Sequence, residues 1–167
     1  DGNAVSQFCD DGRGNLWIAT ENGGLNHFDV RNRKFTNHTA RSHNNLHALC
    51  MDGDDLLIGT FSQGLDLMNL RTGKVVNYRN IPGDSASLCN DYVYAIFRAS
   101  DGTLYVGTMS GMCTFDKRRG RFSRVKITEG RFIYDIAEDT GGNIWVASKV
   151  SGIYRYSPGD GTWKNYR

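Results

Sequence analysis

Proline is almost missing from this chain, at 2 of 167 residues, and so is the Ala-, Leu- and Glu-rich text from which helices are written. No apolar run approaches the ~18 residues of a membrane-spanning helix. The opening DGNAVSQF shows neither a basic n-region nor an apolar h-region, so no signal peptide is visible. An excess of one charge sign is absent too: 20 Lys+Arg face 18 Asp+Glu, a formal +2, which demands neither a nucleic-acid nor an acidic partner. The four cysteines, Cys9, Cys50, Cys89 and Cys113, stand 41, 39 and 24 residues apart with no CxxC, which argues against a zinc knuckle. They read as small buried thiols, although an even count leaves two disulfides open. GxSxG, HExxH, a Walker loop and a dinucleotide fingerprint are all lacking. What is plentiful is glycine, 20 residues, and aromatics, 11%. Those two together suit an all-β chain with tight turns.

One heptad recurs four times: GNLWIAT at 14–20, DDLLIGT at 54–60, GTLYVGT at 102–108 and GNIWVAS at 142–148. The third residue after its leading Gly or Asp, Trp17, Leu57, Tyr105 and Trp145, advances by 40, 48 and 40 residues. A Gly-apolar pair follows each copy, at Gly24-Leu25, Gly64-Leu65, Gly111-Met112 and Gly152-Ile153. Beyond it lie the columns Phe28, Met68, Phe115 and Tyr156, then Phe35, Val75, Phe122 and Trp163, then His38, Tyr78, Val125 and Tyr166. Upstream, Val5 and Phe8 align with Leu46 and Leu49, Val93 and Ile96, and Ile133 and Ile136. A period near 40 with these columns reads as four short strands per copy, and a repeat of that kind changes the whole architecture.

Strand two is apolar at consecutive positions, so both its faces are buried. A four-stranded sheet covered on both sides by copies of itself is a propeller blade. The column Ala19, Gly59, Gly107 and Ala147 marks close approach by a neighbouring element. The chain is therefore expected to be an all-β β-propeller of four four-stranded antiparallel blades, approximately 1–40, 41–82, 83–128 and 129–167. The long step comes from RNIPGDSASLCND (79–91), expected to be a loop.

These residues resemble the two-component regulator propeller repeat, most closely in GNLWIATENGGLNHFD (14–29), and the resemblance runs the length of the chain. It implies the extracytoplasmic, periplasmic sensor half of a membrane-anchored hybrid histidine kinase, responsive to oligosaccharides, with an immunoglobulin-like domain following. It also implies about seven blades. Four blades then make an open arc, a fragment whose partners are other blades or a second copy of the chain.

Candidate chemistry is sparse. Trp17 and Trp145 could be sugar platforms, but Leu57 and Tyr105 in the same column favour packing. The hydroxyl column Thr20, Thr60, Thr108 and Ser148 is expected to bond local backbone. Acids cluster in the first turn of each blade: Asp10-Asp11, Asp52-Asp54-Asp55, Asp101 and Glu138-Asp139. Glycosidase or calcium chemistry is conceivable there, and Asp-Gly turn chemistry is the simpler reading. The histidines His27, His38, His43 and His47 fall within 21 residues on strands and loops, where metal spacing loses its meaning. The basic run KRRGRFSRVK (117–126) reads as a charged, solvated outer edge.

With strand one innermost, the two–three loops and the four–one connections share one face. They do not repeat, as a ligand site grafted on a scaffold should not. They offer Glu21, Asn22, His43, Asn44, Asn45, Phe61, Ser62, Gln63, Asn90, Tyr92, Met109, Arg131 and Lys149, a set suited to a polar ligand such as an oligosaccharide. No cofactor or metal is expected. The leading reading is a non-enzymatic ligand sensor. The alternatives are a propeller lyase or glycosidase, which would bring two or more of His27, His43, His47 and Glu21 together in one pocket, and a pure interaction scaffold.

Overall fold

A computed structural model describes residues 4–38 and 44–167. Each repeat makes one sheet. The first holds β1 (Ala4–Asp10), β2 (Asn15–Glu21), β3 (Gly24–Asp29) and β4 (Lys34–His38). The second holds β5 (Leu46–Asp52), β6 (Asp55–Thr60), β7 (Leu65–Asn69) and β8 (Val75–Tyr78). The third holds β9 (Val93–Arg98), β10 (Leu104–Thr108), β11 (Gly111–Asp116) and β12 (Arg121–Arg124). The fourth holds β13 (Ile133–Glu138), β14 (Ile144–Ser148), β15 (Gly152–Ser157) and β16 (Thr162–Tyr166). Strands pair antiparallel in chain order within every sheet, and a short 3-10 turn, Lys126–Thr128, links the third sheet to the fourth.

The sheets stack in sequence through their first strands, β1 on β5, β5 on β9 and β9 on β13. Three apolar clusters fill the three joints. Trp17, Leu25, Leu46 and Ile58 fill the first, Leu57, Val93, Phe115 and Phe122 the second, and Tyr105, Met112, Ile133 and Tyr154 the third. The small column behaves as the sequence requires. A Cβ on Gly59 would stand 2.7 Å from Val93 Cγ1, and one on Gly107 would stand 2.7 Å from Ile133 Cγ2. The next blade's strand-one side chain occupies the space that a larger residue would need.

The stack does not close. In the middle blades strand two is buried on both faces: Leu56–Thr60 and Leu104–Thr108 are all buried. In the last blade burial alternates along β14, with Ile144 and Val146 buried and Trp145, Ala147 and Ser148 half-buried. Alternation is what one covered face produces. At the other end, Val5 and Phe8 are 50% and 60% exposed, whereas their counterparts Leu46, Val93, Ile133 and Leu49, Ile96, Ile136 are buried.

Polar columns hold each blade's loops. The hydroxyls of Thr20, Thr60 and Thr108 donate to the carbonyls of Gly24, Gly64 and Gly111 at 2.7–2.8 Å. Ser148, the fourth member, makes no such bond; its buried hydroxyl oxygen has no hydrogen-bond partner. Amide side chains on strand four, Asn37, Asn77 and Asn165, donate to the two–three loop carbonyls of Gly23, Gln63 and Ser151. The first-turn acids are indeed turn formers: Asp11, Asp101 and Asp139 accept backbone N–H groups two residues on, from Arg13, Thr103 and Gly141.

Two sequence expectations gain detail. The segment 79–91 is a loop, without strand or helix, but a packed one. Leu88 is fully buried in the second joint, Ser87 is buried, Asn80 caps the carbonyls of Leu88 and Cys89, and Phe122 N–H donates to Ala86 O at 2.9 Å. The insertion is a wedge between the outer strands of blades two and three. The basic run is not merely a solvated edge either. Lys117 is half-buried and reaches back to Asp52 and Asp55 in blade two at 2.6 and 2.7 Å, and Arg121 pairs with Asp84 of the wedge at 3.3 Å.

Candidate functional site

The two–three loops and four–one connections do share a face, and a repeated bond joins them. Phe61, Met109 and Lys149 each donate a backbone N–H to the carbonyl just before strand one, that of Asn45, Tyr92 and Phe132 respectively, at 3.0 Å. In the first two blades Gly24 N–H and Gly64 N–H reach Asn44 O and Asp91 O.

Strand one breaks register at the same place in every blade. The ladder skips Ser6 between Val5 and Gln7, His47 between Leu46 and Ala48, Tyr94 between Val93 and Ala95, and Tyr134 between Ile133 and Asp135. A bulge leaves its extra residue unpaired and re-aims the side chain. Here Ser6, His47, Tyr94 and Tyr134 all line one cavity of about 510 Å³ on the concave inner wall, together with Glu21, Gln7 and Asp135.

Around that cavity the rings run in a chain. Phe61 lies 5.2 Å from Tyr92 and 5.6 Å from His47; His47 lies 4.7 Å from Tyr94; Tyr94 lies 4.5 Å from Phe132; and Phe132 lies 6.0 Å from Tyr134. Lys149 Nζ sits 5.3 Å over the Phe132 ring. Tyr134 is 62% exposed and Phe61 38%, so the strip is open to a ligand. Burial first, and the neighbouring Tyr92 and Tyr134 next, raise the Tyr94 hydroxyl above the ordinary tyrosine value, so it stays protonated at neutral pH and can both donate and accept.

The expected site residues divide accordingly. Phe61, Tyr92 and Lys149 belong to the aromatic strip, and Glu21 lines the cavity. Met109 and Arg131 are exposed on the same face. Asn22 adopts a left-handed φ of 62° and shapes its turn, and Asn90 accepts Tyr92 N–H at 2.9 Å. Ser62 and Gln63 are engaged by Arg79, whose guanidinium also pairs with Asp91 at 2.8 Å. Asn44 and Asn45 serve through their carbonyls, and His43 lies outside the described residues. Sequence reasoning missed Tyr94, Phe132 and Tyr134 altogether and weighed His47 only as a metal ligand or a catalytic histidine. The signal was there: one column inside a repeating strand reads Ser, His, Tyr, Tyr.

A second cavity, of about 560 Å³, opens between blades one and two. Trp17, buried, carries the His27 and His38 rings at 4.6 and 5.1 Å there. Burial, then the adjacent His27, lowers the His38 value and keeps it neutral. Trp17 and Trp145 are thus packing residues, the latter bonded through its indole N–H to Asp139 at 2.7 Å. Of the residues an enzyme would need to bring together, Glu21 and His47 share the inner cavity and His27 does not. The acids proposed for calcium are consumed by cations: Asp52 by Lys117 and Arg98, Asp54 by Arg13 and Arg71, and Asp55 by Lys117. No group of three or more His, Cys, Asp or Glu could hold a metal ion among the described residues.

Repeating blades, an unclosed stack and a variable inner wall define a propeller-repeat protein. The model of the family described as two component regulator propeller matches residues 1–22 and 87–110, so the resemblance holds in the first blade and also in the third. Over 81 residues, 42% of this chain, the sequence is 31% identical to histidine kinase P4 of Formosa agariphila, of which it covers 6%. The extracellular domain of a hybrid two-component system from B. thetaiotaomicron superposes on the whole chain with a TM-score of 0.85 at 24% identity. Virginiamycin B lyase of Staphylococcus aureus superposes on 98% of the chain with a TM-score of 0.76 at 13% identity, a likeness of fold alone. The chain spans 25% of the two-component domain and 55% of the lyase.

Proposed function

We propose that this chain is a ligand-sensing arc of an extracytoplasmic, periplasmic propeller in a bacterial two-component sensor, and that its inner wall takes an oligosaccharide. The observation that carries the ligand class is the ring chain from Phe61 through His47, Tyr94 and Phe132 to Tyr134, set beside Glu21 and Lys149. Flat rings that are amphipathic at their tips suit the apolar faces and rim hydroxyls of successive sugars. Ligand binding across several blades would bias their relative placement and so the geometry of a membrane-anchored dimer. The apolar flanks of the first and last blades accept further blades of the same repeat type.

Isothermal titration with maltohexaose, xylohexaose and oligogalacturonate tests the site. One of the three binds, and Tyr94→Ala weakens it about tenfold, or roughly 1.4 kcal/mol. Binding that ignores both Tyr94→Ala and Tyr134→Ala, or no binding by any of the three, overturns the assignment. The second reading, a lyase or glycosidase, rests on Glu21 and His47 sharing the cavity. New reducing ends or unsaturated products from the same sugars, abolished in Glu21→Gln, would favour it.

A further inference from the structure

The formal +2 conceals a sorting of charge by position. Four stretches, 30–38, 70–79, 117–126 and 158–167, run from just after strand three to within two residues of the end of strand four. They hold three, three, six and two Lys or Arg, against a single acid, Asp160. Six cations and seventeen acids fall to the rest of the chain. Strand four is outermost in every sheet, and the sheets meet through their first strands, so these stretches form the convex rim of the arc. All of their cations but Lys117 and Arg124 are exposed. Arg71 and Lys117 turn inward to Asp54 and to Asp52 and Asp55. Arg31, Lys74, Arg118, Lys126 and Lys164 make no ion pair among the described residues. Guarding an exposed strand edge needs charge of either sign. One sign, on four edges and their turns, exceeds that need.

We propose that this convex rim binds a linear acidic polysaccharide, laid across the outer edges of successive blades. A chain carrying an anion at intervals meets a cation at each edge it crosses, and Arg dominates the rim, whose planar fork matches carboxylate and sulfate. Exposed hydroxyls stand among those cations at Thr36, Thr72, Ser123 and Thr162, partners for the hydroxyls that sugars carry between their charges. The turns between strands one and two lie at the same end of the blades as those between strands three and four, but nearer the inner wall, and they carry the acids. Repulsion there confines a polyanion to the rim. Other anionic partners fit less well. A flat membrane meets a convex surface at one or two blades only. Duplex DNA, stiff over about 150 base pairs, does the same. Single-stranded nucleic acid needs rings to stack on, and the strand-four rings of the two middle blades, Tyr78 and Phe122, face each other at 5.8 Å in the joint.

The probe is fluorescently labelled heparin, with binding to the full chain followed by anisotropy. Affinity falls roughly fiftyfold between about 50 and 200 mM NaCl, as four contacts to a flexible polyanion would give. Arg31→Ser, Lys74→Ser and Arg118→Ser, one on each of three blades, each weaken binding about fivefold at the lower salt and flatten the salt dependence. Arg131→Ser, which removes an exposed arginine outside the rim, leaves it unchanged. An equal loss in Arg131→Ser would mean that overall charge, not the rim, attracts the polymer. A loss in Arg118→Ser alone would refute the path across blades. Absence of heparin binding, or tighter binding to phosphatidylglycerol vesicles or to a short DNA duplex, would overturn the choice of partner.

Discussion

Asp139 illustrates how much a single repeated position carries. Its carboxylate accepts the indole N–H of Trp145, the amide of Asn143 and the backbone N–H groups of Asn143 and Gly141. Those bonds, the indole first, hold it down to about 2 from an ordinary 3.8. The folded value is depressed, so the stabilisation is present in full above the unfolded value and is lost as pH falls through about 2. In a chain where Trp17 and Trp163 are replaced by Phe, Trp145 emission should shift with a midpoint near pH 2, and Asp139→Asn should abolish the transition. A midpoint near the ordinary aspartate value would refute the bond. The equivalent acid of blade one, Asp11, instead gives both its oxygens to the Arg13–Asn15 turn, and the Trp17 indole N–H, buried, has no hydrogen-bond partner. Two identical residue types in one column therefore make different bonds, a distinction that no spacing argument reaches.

At the scale of the element, the sixteen strands were legible because the columns that repeat are those that pack. The concave site was legible only in part. Its loop residues Phe61, Tyr92 and Lys149, and Glu21 at the end of β2, stood out because they do not repeat, but the bulged positions sat inside strands that do. The bulge recurs at the same position in every blade and so adds nothing to the period; only the variable column Ser6, His47, Tyr94 and Tyr134 marks it. The wedge escaped for a different reason: its Ser- and Pro-containing text looks solvated, while a single Leu88 anchors it in the joint. The reach of Lys117 across the second joint was equally hidden. Burial opposes the charges there, but the hydrogen bonds and mutual attraction lower Asp52 and Asp55 and raise Lys117. Lys117→Met should cost about 1 kcal/mol at neutral pH, after discounting a half-buried pair for solvent screening. The carboxylates contribute above their unfolded values and lose that contribution as pH falls through the folded ones; the ammonium contributes below its unfolded value and fades as pH rises through the folded one. Urea denaturation should therefore show wild type and variant converging in acid. A constant difference down to acid pH would point to lost packing of the lysine stem instead.

Across the whole molecule, the interior joints serve as templates for the ends. Leu46, Val93 and Ile133 are each fully buried, the latter two against Gly59 and Gly107. Val5 occupies the same column half-exposed, and at the opposite end Ile153 and Tyr166 are each 46% exposed. Flanks of this kind pair when nothing else covers them. Light scattering should show the mass of the 167-residue chain rising with concentration, and Val5→Lys with Ile153→Lys should return it to a monomer. A wild-type chain that stays monomeric throughout would mean that the flanks need no further blade.

The three joints also differ in how they are filled. The outer clefts between blades one and two and between blades three and four are open, at about 560 and 570 Å³, and are crossed near their ends by Arg13–Asp54 and Ser100–Glu138, whereas the wedge, Lys117 and Arg121 fill and tie the joint between them. A load applied along the arc would bend it at the two open joints and leave blades two and three moving as one beam. The aromatic strip crosses the braced joint at His47–Tyr94 and an open one at Tyr94–Phe132, so one rigid half of the ring chain would be gripped while the other swings.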